Sequence, residues 1–541
     1  MIYKRRKKWD IKATRDDIRE SRTVTEVTEV LKVSPVTAQL LINRGCTTPE
    51  QCAAFLDRSS EKLHDPFLMK DMKKAAQRIL EAVRKGEKIA IYGDYDVDGV
   101  TSVSALYMYL RGLGADVCYY IPSRLKEGYG MSGDAVRRLQ DEGCSLIITV
   151  DTGITAFEEA RDVLALNMEL IITDHHECQD AVPDACAVVN PKQRDCPYPF
   201  KELAGVGVVF KLLCALEFLN SNNGLTMTDA VRNVSNGYID LVATGTIADV
   251  MPLRDENRLI VSYGLYMMEN KPRPAMSALF DAAGGDGKSR KRKITSGYIG
   301  YTVAPRLNAA GRIRSANIAV ELFLSDSREK ADSVAAMLCE INKERQELEN
   351  SVIEAAYKKI ESEHDFAHDP VIVLADEAWH HGIIGIVASR IAEKYCKPTI
   401  LISFDQVGDG SGACAVGKDS DVGKGSGRSV KGMNLVEALN HCSDLLVKYG
   451  GHELAAGLSI ERGKLEEFTQ RINDFARGCF DGREPESSVS ADCTLEASDV
   501  SMAQATELYK LEPFGVSNPM PVFVMFGMKV YSIGGVGGGK H

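Results

Sequence analysis

At 541 residues the chain is too long for one hydrophobic core and implies roughly three or four domains. Its 44% hydrophobic and 26% charged residues are those of an ordinary globular protein; no apolar run approaches the ~20 residues of a membrane helix, and the basic start, Met1 to Asp10, leads into no apolar segment, so the sequence predicts no membrane association, no secretory signal and a cytoplasmic location. A net charge of −11 runs against a nucleic-acid partner, whose domains are often basic, and the fourteen cysteines contain no Cys-x-x-Cys pair, which argues against a zinc ribbon or a dithiol redox motif.

In chain order, residues 1–70 mix charged, helix-like stretches with short polar joints and carry no identifiable chemistry. The basic runs Lys4-Arg5-Arg6-Lys7-Lys8 and Ser289-Arg290-Lys291-Arg292-Lys293 read as a solvated tail and loop. Over 71–326 strands and helices alternate: strands at 88–92, 116–121, 146–150, 170–173 and 187–189, with helices between them at 101–110, 132–142 and 156–165. That alternation predicts an α/β fold with a doubly wound parallel sheet, whose ligand site lies beyond the carboxyl ends of the strands. Gly205-Val206-Gly207 lacks the third glycine of a dinucleotide fingerprint and reads as a turn opening a helix. Residues 327–364 form one long connecting helix. A second α/β unit spans 365–480, with strands at 370–374, 398–402 and 456–460, helices at 382–395 and 435–447, and Gly-rich turns around Ser426, Arg428 and His452. The tail, 481–541, has short apolar segments with Pro and Gly and predicts a small β domain.

The chemistry concentrates at the predicted strand ends. Asp94, Asp96 and Asp98 follow the first strand, Asp151 follows the third, Asp174-His175-His176 follows the fourth, and Asp249 follows an apolar run ending in Ile247-Ala248. An Asp after a strand is more often a turn former or a helix cap than a ligand, and Asp-His-His can be a satisfied polar turn. Three such clusters at one sheet edge are what a hydrolytic two-metal site requires: Asp96 and Asp98, two apart, can reach adjacent ions, Asp151 can bridge them and His175 adds a nitrogen. Mixed carboxylate and imidazole ligation suits Mn²⁺ better than Mg²⁺. A calcium loop is excluded, because the twelfth position counted from Asp94 is Ala105. Cys178, Cys186 and Cys196, near His175, fit no usual zinc spacing.

The segments Gly93-Asp94-Tyr95-Asp96-Val97-Asp98-Gly99, Val150-Asp151-Thr152-Gly153, Asp174-His175-His176 and Ile247-Ala248-Asp249-Val250-Met251-Pro252 resemble the signature motifs of the DHH phosphoesterases, and within them the RecJ family of single-strand-specific exonucleases. Trp379-His380-His381-Gly382, Gly425-Ser426-Gly427-Arg428 and Gly450-Gly451-His452 are similar to the DHHA1 domain of that family. The resemblance implies that Asp96, Asp98, Asp151, His175 and Asp249 are ligands of two divalent cations, with Asp94 and His176 beside them. It also implies that single-stranded DNA enters between the two α/β domains and is degraded 5′→3′ to mononucleotides in repair and recombination, by a monomer that works with a single-strand-binding protein and a helicase. Pro305-Arg306-Leu307-Asn308-Ala309-Ala310-Gly311-Arg312 matches a further motif. Arg306, Asn308 and Arg312, with His380, Ser426, Arg428 and His452, are then expected at phosphates, the glycine-rich turns offering exposed amides. The tail resembles the entry into an OB-like domain that the chain carries only in part. Other readings of these motifs are a DHH phosphodiesterase of short oligonucleotides or cyclic dinucleotides, and a non-catalytic replication factor with a decayed metal site.

Overall fold

The computed structural model describes residues 8–59, 62–124, 127–128, 130–221, 224–284, 293–404, 421–480 and 488–535. Most of both basic runs and the last residues of the chain lie outside these segments. The chain begins with β1 (Lys8–Ile11) and four short helices, α1 (Arg15–Glu20), α2 (Arg22–Leu31), α3 (Pro35–Asn43) and α4 (Pro49–Leu56). Each helix starts at a hydroxyl cap: Thr14, Ser21, Ser34 and Thr48 accept from the amides of Asp17, Val24, Thr37 and Gln51. Their apolar faces, with Val27, Leu40, Leu41 and Cys52 buried, pack against Cys493 and Leu511, and β1 pairs in parallel with Ser488–Ala491. The first and last segments, read from sequence as separate regions, therefore share one core.

After α5 (Met72–Lys85) comes the first sheet: β2 (Ile89–Gly93), α6 (Val97–Gly112), β3 (Val117–Tyr120), α7 (Gly133–Asp141), β4 (Leu146–Val150), α8 (Phe157–Ala165), β5 (Glu169–Thr173) and β6 (Ala187–Val189). All five strands are parallel, in the order β3-β2-β4-β5-β6. The strands read as continuous apolar runs because both faces are covered: α5, α6 and α9 (Gly205–Asn220) on one side, α7 and α8 on the other. The strand order reverses between β2 and β4, so the crevice beyond their carboxyl ends is the topological switch point. Beyond β6 the expected alternation stops. The chain runs through α10 (Met227–Ala248), α11 (Asp255–Asn270), α12 (Pro274–Gly284), α13 (Ser296–Tyr298), a π-helical turn (Ile299–Val303), α14 (Ala304–Ile313) and α15 (Asn317–Phe323), since its apolar residues recur at helical spacing over lengths no strand reaches.

The connecting helix α16 (Arg328–Glu363) has 36 residues, about 54 Å, capped by Ser327. Its first half packs Ala331, Ala335 and Leu338 into the first domain, and its second half packs Val352, Ala356 and Ile360 into the next. That domain comprises β7 (Ile372–Asp376), α17 (His381–Tyr395), β8 (Thr399–Ser403), β9 (Val422–Arg428), α18 (Leu435–His441), β10 (Leu446–His452), β11 (Ala455–Glu461) and α19 (Leu465–Phe480). The sheet order is β10-β11-β9-β8-β7, with only β7 and β8 parallel.

Two expectations are corrected here. The helix expected over 435–447 ends at His441, a 3-10 turn follows at Ser443–Leu445, and β10 begins at Leu446, pairing with β11. Gly423-Lys424-Gly425-Ser426-Gly427-Arg428 is not a turn but a central strand. Its glycines face the packed side of the sheet, where a Cβ would lie 2.7 Å from Ile402 and Phe404 at Gly423, and 2.8 Å from Leu458 at Gly425 and from Leu435 at Gly427. Close packing, not turning, is the reason for glycine there. The tail supplies β12 (Ser488–Ala491), β13 (Cys493–Thr494), α20 (Met502–Leu508) and β14 (Phe523–Val524), with β13 and β14 paired in parallel.

Candidate metal centre

The carboxylates gather at the switch point. After β2 the chain turns into α6 through Asp96, which caps the helix by accepting with Oδ1 from the amides of Asp98 (2.8 Å) and Gly99 (3.1 Å). Gly99 is required because a Cβ there would meet the Asp94 carbonyl at 2.3 Å. Asp98, in the first turn of α6, accepts from the amides of Gly205 (2.7 Å) and Val206 (2.8 Å) at the start of α9. The N-terminus of one helix thus holds a carboxylate presented by another. Asp151 follows β4 with φ of 59°, a left-handed conformation that aims it into the crevice, and Asp249 ends α10.

His175 Nε2 lies 3.1 Å from Asp151, 3.5 Å from Asp249 and 3.9 Å from Asp98. Among the described residues, three overlapping trios have potential ligand atoms within 4.8 Å of one another: Asp94, Asp96 and Asp151; Asp98, His175 and Asp249; and Asp151, His175 and His176. Asp151 and His175 each belong to two of them; the Asp151 carboxylate, with two oxygens, would be the group able to serve neighbouring cations, and His175 would give its nitrogen to one of them. The donor atoms fit such ions: Asp94 Oδ1, Asp151 Oδ1 and both ring nitrogens of His175 are buried with no hydrogen-bond partner among the described residues, a costly arrangement unless another ligand completes it. Burial first, then neighbouring carboxylates, pushes Asp94, Asp98 and Asp151 well above the usual carboxylate range, and the same causes bring Asp249 to about 7. Burial lowers His175 to about 3. A dication reverses this penalty by compensating the clustered negative charge.

Asp174, which the sequence reading did not assign to the site, orients the group. Its Oδ1 accepts from the amides of His175 and His176 and from His176 Nδ1 at 2.7 Å, and its Oδ2 accepts from Ile154 N. Burial alone would lower His176, but the Asp174 carboxylate raises it to about 9.

A cationic cluster borders the Asp96 side. Asn308 on α14 accepts from Val97 N at 3.2 Å and seats that helix against the metal turn. Arg312, further along α14, donates to the Gly382 carbonyl at 3.4 Å, and burial followed by the charge of Arg124 lowers it to about 10. Burial and then Arg124 also lower Arg428. Arg124, absent from the sequence reading, lies 5.0 Å over the Tyr95 ring; the only sequence signal for it is its place in the loop after β3. Ser426 and Arg428 present side chains rather than free amides, because β9 is paired on both edges; Arg428 donates to Ser426 Oγ at 3.1 Å. His452, on the exposed edge strand β10, lies in the same cross-strand row as Arg428. Arg306 donates to the Thr302 carbonyl at 2.5 Å, and His380 caps α17 by accepting from Gly382 N at 3.1 Å.

Three family models match the chain: the DHH family N-terminal domain at residues 88–246, the DHHA1 domain at 368–478 and the RecJ OB domain at 491–541. The single-stranded-DNA-specific exonuclease RecJ of Bacillus subtilis is 39% identical over 95% of this chain, which spans 61% of that protein's length. RecJ of Escherichia coli is 34% identical over 93% of the chain and 85% of its own length. Among solved structures, RecJ from Thermus thermophilus in complex with Mn²⁺ aligns with a TM-score of 0.78 at 31% identity, covering 96% of this chain and 69% of that one. An exonuclease RecJ bound to manganese aligns with a TM-score of 0.62 at 34% identity, covering 77% and 96%. With the DHH carboxylates at the switch point and the DHHA1 sheet beside them, the chain belongs to the RecJ family of single-stranded-DNA-specific exonucleases.

Proposed function

We propose that this chain is a metal-dependent exonuclease that degrades single-stranded DNA 5′→3′ to 5′-mononucleotides in repair and recombination. The observation that carries the reading is the pair of residues, Asp151 and His175, shared between neighbouring ligand groups at the switch point, next to a cluster of three arginines. Asp96, Asp98, Asp151, His175 and Asp249 hold two divalent cations, Mn²⁺ in preference to Mg²⁺, with Asp94 and His176 alongside. When bound, such ions neutralise the phosphoryl oxygens, activate water near neutral pH and stabilise the leaving oxygen.

The chain's own residues do the rest. Asp174 fixes the His176 ring and the backbone of His175, and keeps His176 protonated so that Nε2 can donate to a phosphoryl oxygen. Arg124, Arg312 and Arg428, mutually unfavourable without an anion, take the terminal phosphate, with Ser426 beside them; Arg306, Asn308, His380 and His452 complete the phosphate-facing surface. Substrate enters between the two α/β domains. A single-strand-binding protein and a helicase present the strand to a monomeric enzyme in the cytoplasm. Among the described residues no helix is long and apolar enough to cross a membrane. The test is hydrolysis of 5′-labelled and 3′-labelled single strands with Mn²⁺ or Mg²⁺, resolved by product length. Mononucleotides leaving from the 5′ end support the reading; products confined to dinucleotide substrates favour the short-oligonucleotide phosphodiesterase.

A further inference from the structure

The side chains assigned to the terminal phosphate are divided between two domains. Arg124 and Arg312 come from the first, on the loop after β3 and on α14, whereas Ser426 and Arg428 come from β9 of the second. The angle between the domains therefore decides whether the four meet. That angle is carried by α17. Its start abuts α14, since a Cβ on Gly382 would lie 2.4 Å from the Arg312 carbonyl. Nearly one turn on, it abuts β9, since a Cβ on Gly385 would lie 2.9 Å from Ser426 Oγ and 3.3 Å from Arg428 Nη2. One contact with the first domain makes a pivot; a second is needed to fix a direction.

The second contact lies about 12 Å along α17 from Gly382. There Arg390 Nη2 is 2.7 Å from Oε1 of Glu349 on α16, and the other oxygen of Glu349 accepts from Arg345 Nη1. Arg345 also donates to Asn342 at 2.9 Å. The group sits where α16 passes from the first core, which holds Leu338, to the second, which holds Val352. Glu349 is 1% exposed and Arg345 8%, whereas the Arg390 side chain, at 53%, reaches in from the surface. Burial first, then the charges of Arg390 and Arg306 against the pull of Glu349, lower Arg345, and Arg345 in turn is one of the charges that lower Arg312. Glu349 is thus the counter-charge in a row of arginines that runs from the joint towards the phosphate cluster.

In a buried triad of this kind desolvation largely offsets the attraction, so it contributes little to stability; its best-attested use is to select one arrangement among alternatives. Here the arrangement is the direction of α17. We propose that Glu349 is a positioning residue: by holding Arg345 and Arg390 together it fixes the second domain at the angle that assembles the divided phosphate cluster, and so sets the preference for a strand bearing a 5′-phosphate. The proposal rests on the phosphate role assigned above to the arginines.

The test measures kcat/KM with Mn²⁺ for the wild-type chain, Glu349→Gln and Arg390→Met on one oligothymidylate carrying either a 5′-phosphate or a 5′-hydroxyl. Glu349→Gln keeps the shape and loses the charge. Arg390→Met removes only the exposed partner, so it reads the same joint even where Glu349→Gln does not fold. The wild-type chain should favour the phosphorylated strand. Each variant should lower kcat/KM on that strand about tenfold, as for loss of one hydrogen bond to a charged group, and leave the hydroxyl strand at the wild-type value. Mn²⁺ affinity by calorimetry should hold, because the proposed ligands all lie in the first domain. Arg390→Lys, which keeps a cation, should recover part of the preference. Equal losses on both strands, or an unchanged ratio in folded Glu349→Gln or in Arg390→Met, overturn the positioning role and leave the exonuclease reading standing. A wild-type chain that cuts the two strands alike overturns the phosphate cluster and the positioning role together; one that cuts neither overturns the exonuclease reading as well.

Discussion

Gly205 is where the fold and the metal centre are most tightly coupled, and Gly205→Ala should expose that coupling. A methyl at this position would lie 2.6 Å from both Cβ and Oδ1 of Asp151 and 2.8 Å from its Cγ, against roughly 3.5–4.0 Å for ordinary carbon contacts. Either Asp151 or the start of α9 must move by about 1 Å. The helix start cannot shift without releasing Asp98, which it holds through the amides of Gly205 and Val206. Whichever yields, one of two proposed metal-binding carboxylates is displaced. A misplacement of about 1 Å costs on the order of 100-fold in rate, while overpacking costs about 1–3 kcal/mol of stability. The variant should remain folded by circular dichroism, melt at a lower temperature, and lose about two orders of magnitude in turnover together with Mn²⁺ affinity measured by calorimetry. Gly237→Ala is the control: among the described residues its Cβ meets nothing within 4 Å in the exposed middle of α10, so turnover should hold and stability rise by up to ~1 kcal/mol. Wild-type turnover and Mn²⁺ affinity in a folded Gly205→Ala chain would falsify the coupling.

Asp151→Asn should abolish hydrolysis yet raise the melting temperature of the metal-free chain near neutral pH, because it removes one of several mutually repelling buried carboxylates and asparagine tolerates the left-handed backbone there; a lower melting temperature would contradict this. Since Asp249 is raised to about 7 without metal, cations must displace its proton below that pH, so Mn²⁺ affinity should climb from about pH 6 to about pH 8, with proton release visible as buffer-dependent binding heat; a flat profile would count against the ligand role. The same upward shift means that metal-free stability is highest below the ordinary carboxylate pKa and is lost as pH rises through about 7, which melting curves across that range check. Arg428→Ala should weaken single-strand binding without base preference and lower the salt slope by about one, whereas an unaltered slope would reassign this arginine to a structural pairing.

The strand ends that carry Asp94 to Asp98, Asp151 and His175 were legible because buried parallel strands announce themselves as apolar runs and the polar residues follow directly. β9 was hidden by its glycines: the side of the strand that normally shows hydrophobic alternation has no side chains, so the segment looked like a loop. The amide clamp on Asp98 joins residues 107 positions apart, and no local pattern signals it. Asp174 stood inside a recognised motif, but its work of fixing two histidines depends on Ile154 and the turn after β5, which only the folded chain brings together. Arg124 becomes meaningful only when Arg312 and Arg428 arrive from other elements. The shared core of the two chain ends was invisible for the same reason.

Stoichiometric titration of the metal-free chain with Mn²⁺, followed by calorimetry and by turnover of a labelled single strand in the same samples, tests the two-metal account most directly. Two equivalents should bind per chain, with turnover rising only as the second site fills, and Asp151→Asn should lose that second equivalent and all turnover. Full turnover at one bound equivalent, or turnover that persists after chelation, would contradict it.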